Sequence, residues 1–146
     1  MLLTGCGSQP STTAIAFDPC TPLSVTAPDA STEQQASIDD AIAMWSGRGV
    51  TGLARGEGSA ITIEFRDAAD AFYGYYDDDN ATVYVNLRLR DRDQRAITVA
   101  HELGHALGLG HVALTTRMSV MNTANVTIEP TDSDEAELVA LWGTCP

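Results

Sequence analysis

The three histidines of this 146-residue chain all fall inside one run, His101-Glu102-Leu103-Gly104-His105-Ala106-Leu107-Gly108-Leu109-Gly110-His111. That concentration points to a metal site. On an α-helix His101 and His105, four residues apart, project from the same face about 6 Å from each other. Glycine at 108 can take the positive φ that ends a helix, so the chain can turn back and bring His111 to a third corner. Three neutral imidazoles with an open fourth position describe a catalytic zinc site, since a structural site is normally closed by a fourth protein ligand. Glu102, beside the first ligand, is then the natural general base. The bland alternative is surface histidine at helical spacing, which does not explain why every histidine in the chain fits the pattern.

The run resembles the signature of the metzincin zinc peptidases, His-Glu-x-x-His-x-x-Gly-x-x-His, at every fixed position. Ser119-Val120-Met121-Asn122 follows where the methionine turn of those enzymes would be expected, and Met121 is its candidate. Taken alone, Met121 would more often be ordinary core filling. The likeness is greatest to a small matrixin-type catalytic domain, with Ala41-Ile42-Ala43-Met44-Trp45-Ser46 in the first helix and Asp134 to Gly143 as the closing helix. It implies an α+β, zincin-like fold: a small mixed, twisted sheet with an antiparallel edge strand, an active-site helix and about two further helices. It also implies a zinc-dependent endopeptidase of extracellular proteins or peptides. One catalytic Zn2+ would be held by His101, His105 and His111, with a zinc-activated water attacking the peptide and Glu102 as its base. Asn122-Thr123 stands where some metzincins have a tyrosine, so no tyrosine switch is expected. The competing class is a cell-surface module that holds zinc without cleaving. Hydrolysis of non-protein amides is a third possibility.

The elements that must position these residues are readable in outline. Leu23 to Thr26 alternates as a short strand, and Ser31 with Gln34 forms a capping-box signal for a helix reaching about Ser46. Its apolar stripe is Ile38, Ala41, Ile42 and Trp45, and Gly47 and Gly49 end it. Ile61 to Phe65 is a strand, and Thr82 to Leu87 another, with Val83, Val85 and Leu87 facing one way. Phe72 to Tyr76 is expected as an edge strand, joined to the next by the turn Asp77-Asp78-Asp79-Asn80. In matrixin-like enzymes this edge borders the cleft, and an extended substrate can add to it as a further strand. The turn's carboxylates suit calcium, yet they lack a recognisable loop pattern and read better as a solvated turn.

The histidine helix is expected to begin near Asp93 and end at Gly108, burying Ile97, Ala100, Leu103 and Leu107. Arg88, Arg90, Arg92 and Arg95 read as a solvated patch paired with acids. Residues 122–130 would wall the pocket for the side chain after the scissile bond. A last helix from about Ser133 to Leu141, capped by Asp132 or Ser133, should bury Ala136, Leu138, Val139 and Leu141.

Length fits one compact domain, residues 20–146, behind a flexible segment, residues 1–19. With 20 acidic residues against 8 arginines and no lysine, the net charge of −12 argues against nucleic acid and against electrostatic adsorption to anionic lipid. Leu3-Thr4-Gly5-Cys6 resembles a bacterial lipobox, which would lipidate Cys6, although only five residues precede that cysteine. Membrane contact is expected only through such an anchor. Cys20 and Cys145 flank the domain as an even pair and are expected to form a disulfide, consistent with export to a cell-surface, periplasmic or extracellular location. A monomer is expected.

Overall fold

A computed structural model describes residues 15–56 and 60–146. The elements run β1 (Leu23–Thr26), α1 (Thr32–Ser46), β2 (Leu53–Arg55), β3 (Ile61–Arg66), β4 (Gly74–Asp77), β5 (Thr82–Asn86), α2 (Arg92–Ala106) and α3 (Asp132–Trp142). The strands form one sheet in the order β2-β1-β3-β5-β4. Every pairing is parallel except β4 with β5, so the sheet carries an antiparallel edge strand. The fold class is therefore the expected α+β one. Cys6 and most of the expected flexible segment lie outside the described residues.

Local chemistry accounts for the element boundaries. Ser31 caps α1 through the expected capping box, its hydroxyl accepting from the Gln34 amide while the Gln34 side chain accepts from the Ser31 amide. Ile38, Ala41 and Trp45 are buried from this helix, and the Trp45 indole N–H donates to the Ala100 carbonyl at 2.9 Å. That bond fixes α1 against α2 at the turn just before His101. Gly49, at φ +84°, reverses the chain behind α1.

Several expectations are corrected. Strand β2 was not expected; it is only three residues long, too short for periodicity to register. The edge strand begins at Gly74 rather than Phe72, because the Asn86 side-chain amide donates to the carbonyls of Ala69 and Phe72 and holds that stretch as a turn. Leu87 is exposed, unlike Val83 and Val85, since β3 ends opposite Asn86 and no core lies beyond that pair.

The histidine helix starts at Arg92, with Asp91 as its cap accepting from the Gln94 amide at 2.9 Å; Asp93 sits inside the first turn. Its four expected core residues are all buried. Arg95 is buried too and does not belong to a solvated patch. Its guanidinium donates to Ser37 Oγ and to the Arg90 carbonyl, so it fills the gap between the starts of α1 and α2 with its donors occupied. Arg88 and Arg92 do pair with acids, Asp67 and Asp70 for the first and Asp40 for the second.

Helix α3 is capped by Thr131 rather than Asp132 or Ser133, in a capping box closed by Asp134. Of its expected core residues only Leu138 is buried, while Ala136, Val139 and Leu141 are exposed. The helix crosses the rest of the molecule with one narrow face, so a weak apolar pattern overstates what it buries.

The two ends of the described chain converge on the C-terminal end of α2. The Phe17 amide donates to the Ala106 carbonyl and the Trp142 indole donates to the Leu107 carbonyl, each at 2.8 Å. These donors satisfy carbonyls that a helix end otherwise leaves unpaired. Cys20 and Cys145, each three residues after one of those donors, are joined by a disulfide across 125 residues of sequence.

Candidate metal centre and cleft

The histidine run folds as its spacing requires. His101 and His105 stand one turn apart on α2, and the helix stops at Ala106. Gly108 adopts φ +96°, and the chain doubles back through Leu109, whose amide donates to the Gly104 carbonyl at 2.9 Å. His111 is thereby returned to the helix face. Its Nε2 lies 3.3 Å from Nε2 of His101 and 3.2 Å from Nε2 of His105. Ligands about 2.0–2.1 Å from a tetrahedral zinc sit roughly 3.3 Å from one another, so the three nitrogens fit zinc.

Backbone carbonyls set the tautomers of two of the rings. His101 Nδ1 lies 2.6 Å from the Val120 carbonyl and His105 Nδ1 lies 2.8 Å from the Leu109 carbonyl. A carbonyl only accepts, so each Nδ1 carries the proton and each Nε2 presents a lone pair. Burial lowers the pKa of both rings, with added repulsion from neighbouring histidines; His105 falls to about 4. Neutral imidazole is the form a metal needs.

Beneath the histidines lies the turn Ser119 to Asn122, closed by the Asn122 amide on the Ser119 carbonyl at 3.2 Å. Met121 is fully buried there. A Cβ at Gly104 would stand 2.4 Å from Met121 Sδ, so the sulfur packs where any larger residue between His101 and His105 would intrude. Asp134 of α3 anchors this turn. Its buried carboxylate accepts from Ser119 Oγ at 2.5 Å, the Val120 amide at 3.0 Å, the Thr131 amide at 2.9 Å and Arg117 Nη1 at 2.9 Å. Burial pushes its pKa up, but those donors outweigh burial and hold it below the ordinary carboxylate value. Val120 thus links Asp134, through its amide, to His101, through its carbonyl. Sequence reading missed Asp134, whose only visible signal was its place in a capping box.

Glu102 faces a cavity of about 200 Å³ that is also lined by His101, His111, Thr98, residues 71–74 and residues 123–125. Burial raises its pKa to about 8, opposed by a hydrogen bond from the Tyr76 amide. Strand β4 closes tightly on this face. A Cβ at Gly74 would lie 2.8 Å from Thr98 Cγ2 and 3.2 Å from Glu102 Cγ, which requires glycine there.

The free edge of β4 follows from its register. The Asn86 amide donates to the Tyr73 carbonyl, and Tyr75 and Asp77 stand opposite Tyr84 and Thr82. Antiparallel pairs alternate, so Tyr73, Tyr75 and Asp77 bond to β5 while the main-chain groups of Gly74 and Tyr76 point outward beside Glu102. At the end of the strand, Asp77 accepts from the Asp79 amide and the Asn80 side chain within the acidic turn.

No family model and no curated protein sequence matches this chain. Solved structures do. One titled "Structure of Myroilysin" superposes with a TM-score of 0.66 at 13% identity, covering 93% of this chain and 87% of its own. High choriolytic enzyme 1, a hatching enzyme zinc-protease from the medaka fish Oryzias latipes, gives 0.56 at 12% identity, covering 89% and 93%. A second myroilysin structure gives 0.53 at 18% identity, covering 94% and 68%. At these identities the likeness is one of fold, and that fold is the metzincin-like zincin arrangement.

Proposed function

We propose that this chain is a zinc-dependent endopeptidase. The observation that carries the reading is the approach of His111 Nε2 to within 3.3 Å of His101 Nε2 and 3.2 Å of His105 Nε2, with Glu102 lining the cavity beside them. His101, His105 and His111 would hold one zinc ion. When bound, zinc supplies Lewis acidity that polarises the scissile carbonyl and the attacking water. Glu102 takes the proton from that water and passes it to the departing amine, serving as base and then acid.

The outward main-chain groups of Gly74 and the outward carbonyl of Tyr76, whose amide is taken by Glu102, would pair with an extended substrate, setting its register by backbone rather than by side chain. Met121 would serve as the packed floor of the centre. Proteins or peptides outside the cytoplasm are the substrate class, in keeping with the Cys20–Cys145 disulfide, which persists in oxidising compartments. Attachment through a lipid at Cys6 belongs to the same proposal.

The test compares the zinc-loaded parent with Glu102→Ala at equal zinc content on a mixed-sequence peptide library, reading fragments by mass spectrometry. Loss of a general acid–base group should lower turnover by roughly 10²- to 10⁴-fold. Cleavage that survives the substitution would overturn Glu102 as the base. Stoichiometric zinc with no cleavage by the parent would leave a binding module as the better reading.

A further inference from the structure

Resting on the reading of the three histidines as zinc ligands, we propose that the Cys20–Cys145 disulfide is a clamp on the metal centre, so that zinc is held tightly only after that bond has formed. The turn it grips runs from Leu107 to Leu109 and serves two of the ligands. The Leu109 carbonyl lies 2.8 Å from His105 Nδ1, and the chain passes from that residue through Gly110 to His111. Glycines flank Leu109 on both sides, and glycine surrenders more backbone freedom on ordering than any other residue. A Cβ at Gly110 would meet nothing within 4 Å, so no neighbour confines the chain there. Apart from the Leu109 amide on the Gly104 carbonyl, the turn depends on what packs against its start.

Both segments joined by the disulfide reach that start. The Phe17 amide donates to the Ala106 carbonyl and the Trp142 indole to the Leu107 carbonyl, each at 2.8 Å. Trp142 Nε1 and Cζ2 also stand 3.7 and 3.8 Å from where a Cβ would lie at Gly108. Each segment offers the helix end one hydrogen bond, close to an end of the described chain, where fraying is ordinarily easiest. Cys20 and Cys145 follow Phe17 and Trp142 at the same three-residue interval. Joining them keeps a released segment at high local concentration beside its carbonyl for as long as the other stays bound. His101 lies outside this grip, since its Nδ1 is held by the Val120 carbonyl and the Val120 amide by Asp134. Closing the clamp is a two-electron oxidation. The Cys20 and Cys145 thiols lose two protons and two electrons to a disulfide oxidant, which leaves as two thiols while one S–S bond forms. A reduced chain thus holds zinc loosely, and metal loading is completed in an oxidising compartment.

The experiment uses the full chain carrying Cys6→Ser, so that Cys20 and Cys145 are its only cysteines, beside the same chain with Cys20→Ser and Cys145→Ser. In competition with a chromophoric chelator, the opened chain should bind zinc ~10-fold more weakly, the loss expected when groups that orient ligands are freed. Trp142→Phe, which keeps the disulfide and removes only the indole donor, should show a smaller loss in the same direction. Solvent exchange of the imidazole Nδ1 protons, followed by nitrogen-15 NMR, separates a clamp from general destabilisation. Opening should quicken exchange at His105 and leave His101 unchanged. Equal zinc affinity in the open and closed chains, or both protons quickening alike, would overturn the proposal. If the opened chain fails to fold, Trp142→Phe decides: an unmoved His105 proton and zinc affinity overturn the clamp. Zinc binding without peptide cleavage defeats the peptidase reading and leaves these measurements to stand. A parent that takes up no zinc defeats the metal reading, and the His105 and His101 protons of the metal-free chains then uphold or overturn the grip on the turn.

Discussion

Helices α2 and α3 present opposite relations between what a helix buries and what it does. Helix α2 is buried around most of its circumference, from Arg95 to Ala106, and its packing fixes two histidines and Glu102. Helix α3 buries only Asp134 and Leu138 and leaves Val139 and Leu141 in solvent. Its contribution to the turn beneath the histidines is a single carboxylate. Apolar contact can settle where a helix lies, but orienting a ligand's hydrogen-bond partner takes a directional group. Asp134 does for the Val120 peptide what no leucine could.

The largest effect should follow removal of that carboxylate. Asp134→Ala leaves the Val120 amide and Ser119 hydroxyl buried without their acceptor and strips Arg117 of one of its two acid partners. A loss of about 3–5 kcal/mol in urea unfolding is expected. Because the Val120 carbonyl orients His101, zinc affinity measured by chelator competition should also fall, by roughly 10- to 100-fold. The pH dependence has a definite sign. Asp134 has a lowered folded-state pKa, so its stabilisation is complete above the unfolded value of 3.8 and is lost as pH falls through the folded one. Acid unfolding of the parent should carry this component, and Asp134→Asn should remove it. If Asp134→Ala costs less than Leu138→Ala, α3 is held by its apolar contact after all.

Next in size is the floor of α2. Gly104→Ala would place a methyl against Met121 Sδ, and overpacking of this kind costs about 1–3 kcal/mol. The double substitution Gly104→Ala with Met121→Ala, which removes the intruded side chain, should show a favourable coupling energy in a thermodynamic cycle. Strict additivity would mean the two do not meet as placed.

The contrast between the helices also explains what could be read beforehand. Histidine spacing, the glycine at 108 and the burial of Ile97, Ala100, Leu103 and Leu107 were visible because a dense core and a cluster of three histidines both impose strict spacing. So were α1 and its Ser31–Gln34 cap. Asp134 and Arg95 were not, since a buried charge looks identical in sequence to a solvated one until its partners, Ser119 for one and Ser37 for the other, come from distant segments. Gly74 was likewise invisible, for its requirement is set by Thr98 and Glu102 across the cleft. The α3 stripe misled for the opposite reason: a run of apolar residues was credited with a core that the fold does not supply on that side.

The smallest effect probes this exposed stripe. Leu141 is 57% exposed, and most of its side chain gains little from the folded state. Leu141→Gln should therefore change unfolding free energy by no more than about 0.5 kcal/mol, as surface substitutions away from special contacts do. Its δ carbon does lie 3.7 Å from where a Cβ would stand at Gly108, where the chain turns toward His111. Thermal unfolding should accordingly be measured with and without zinc. An equal, small change in both states leaves Leu141 with no part in anchoring α3. A larger loss confined to the zinc-loaded protein would mean that the C-terminal end of α3 braces the turn that delivers the third histidine, and the division between a packed helix and a tethered one would narrow to the single residue Leu141.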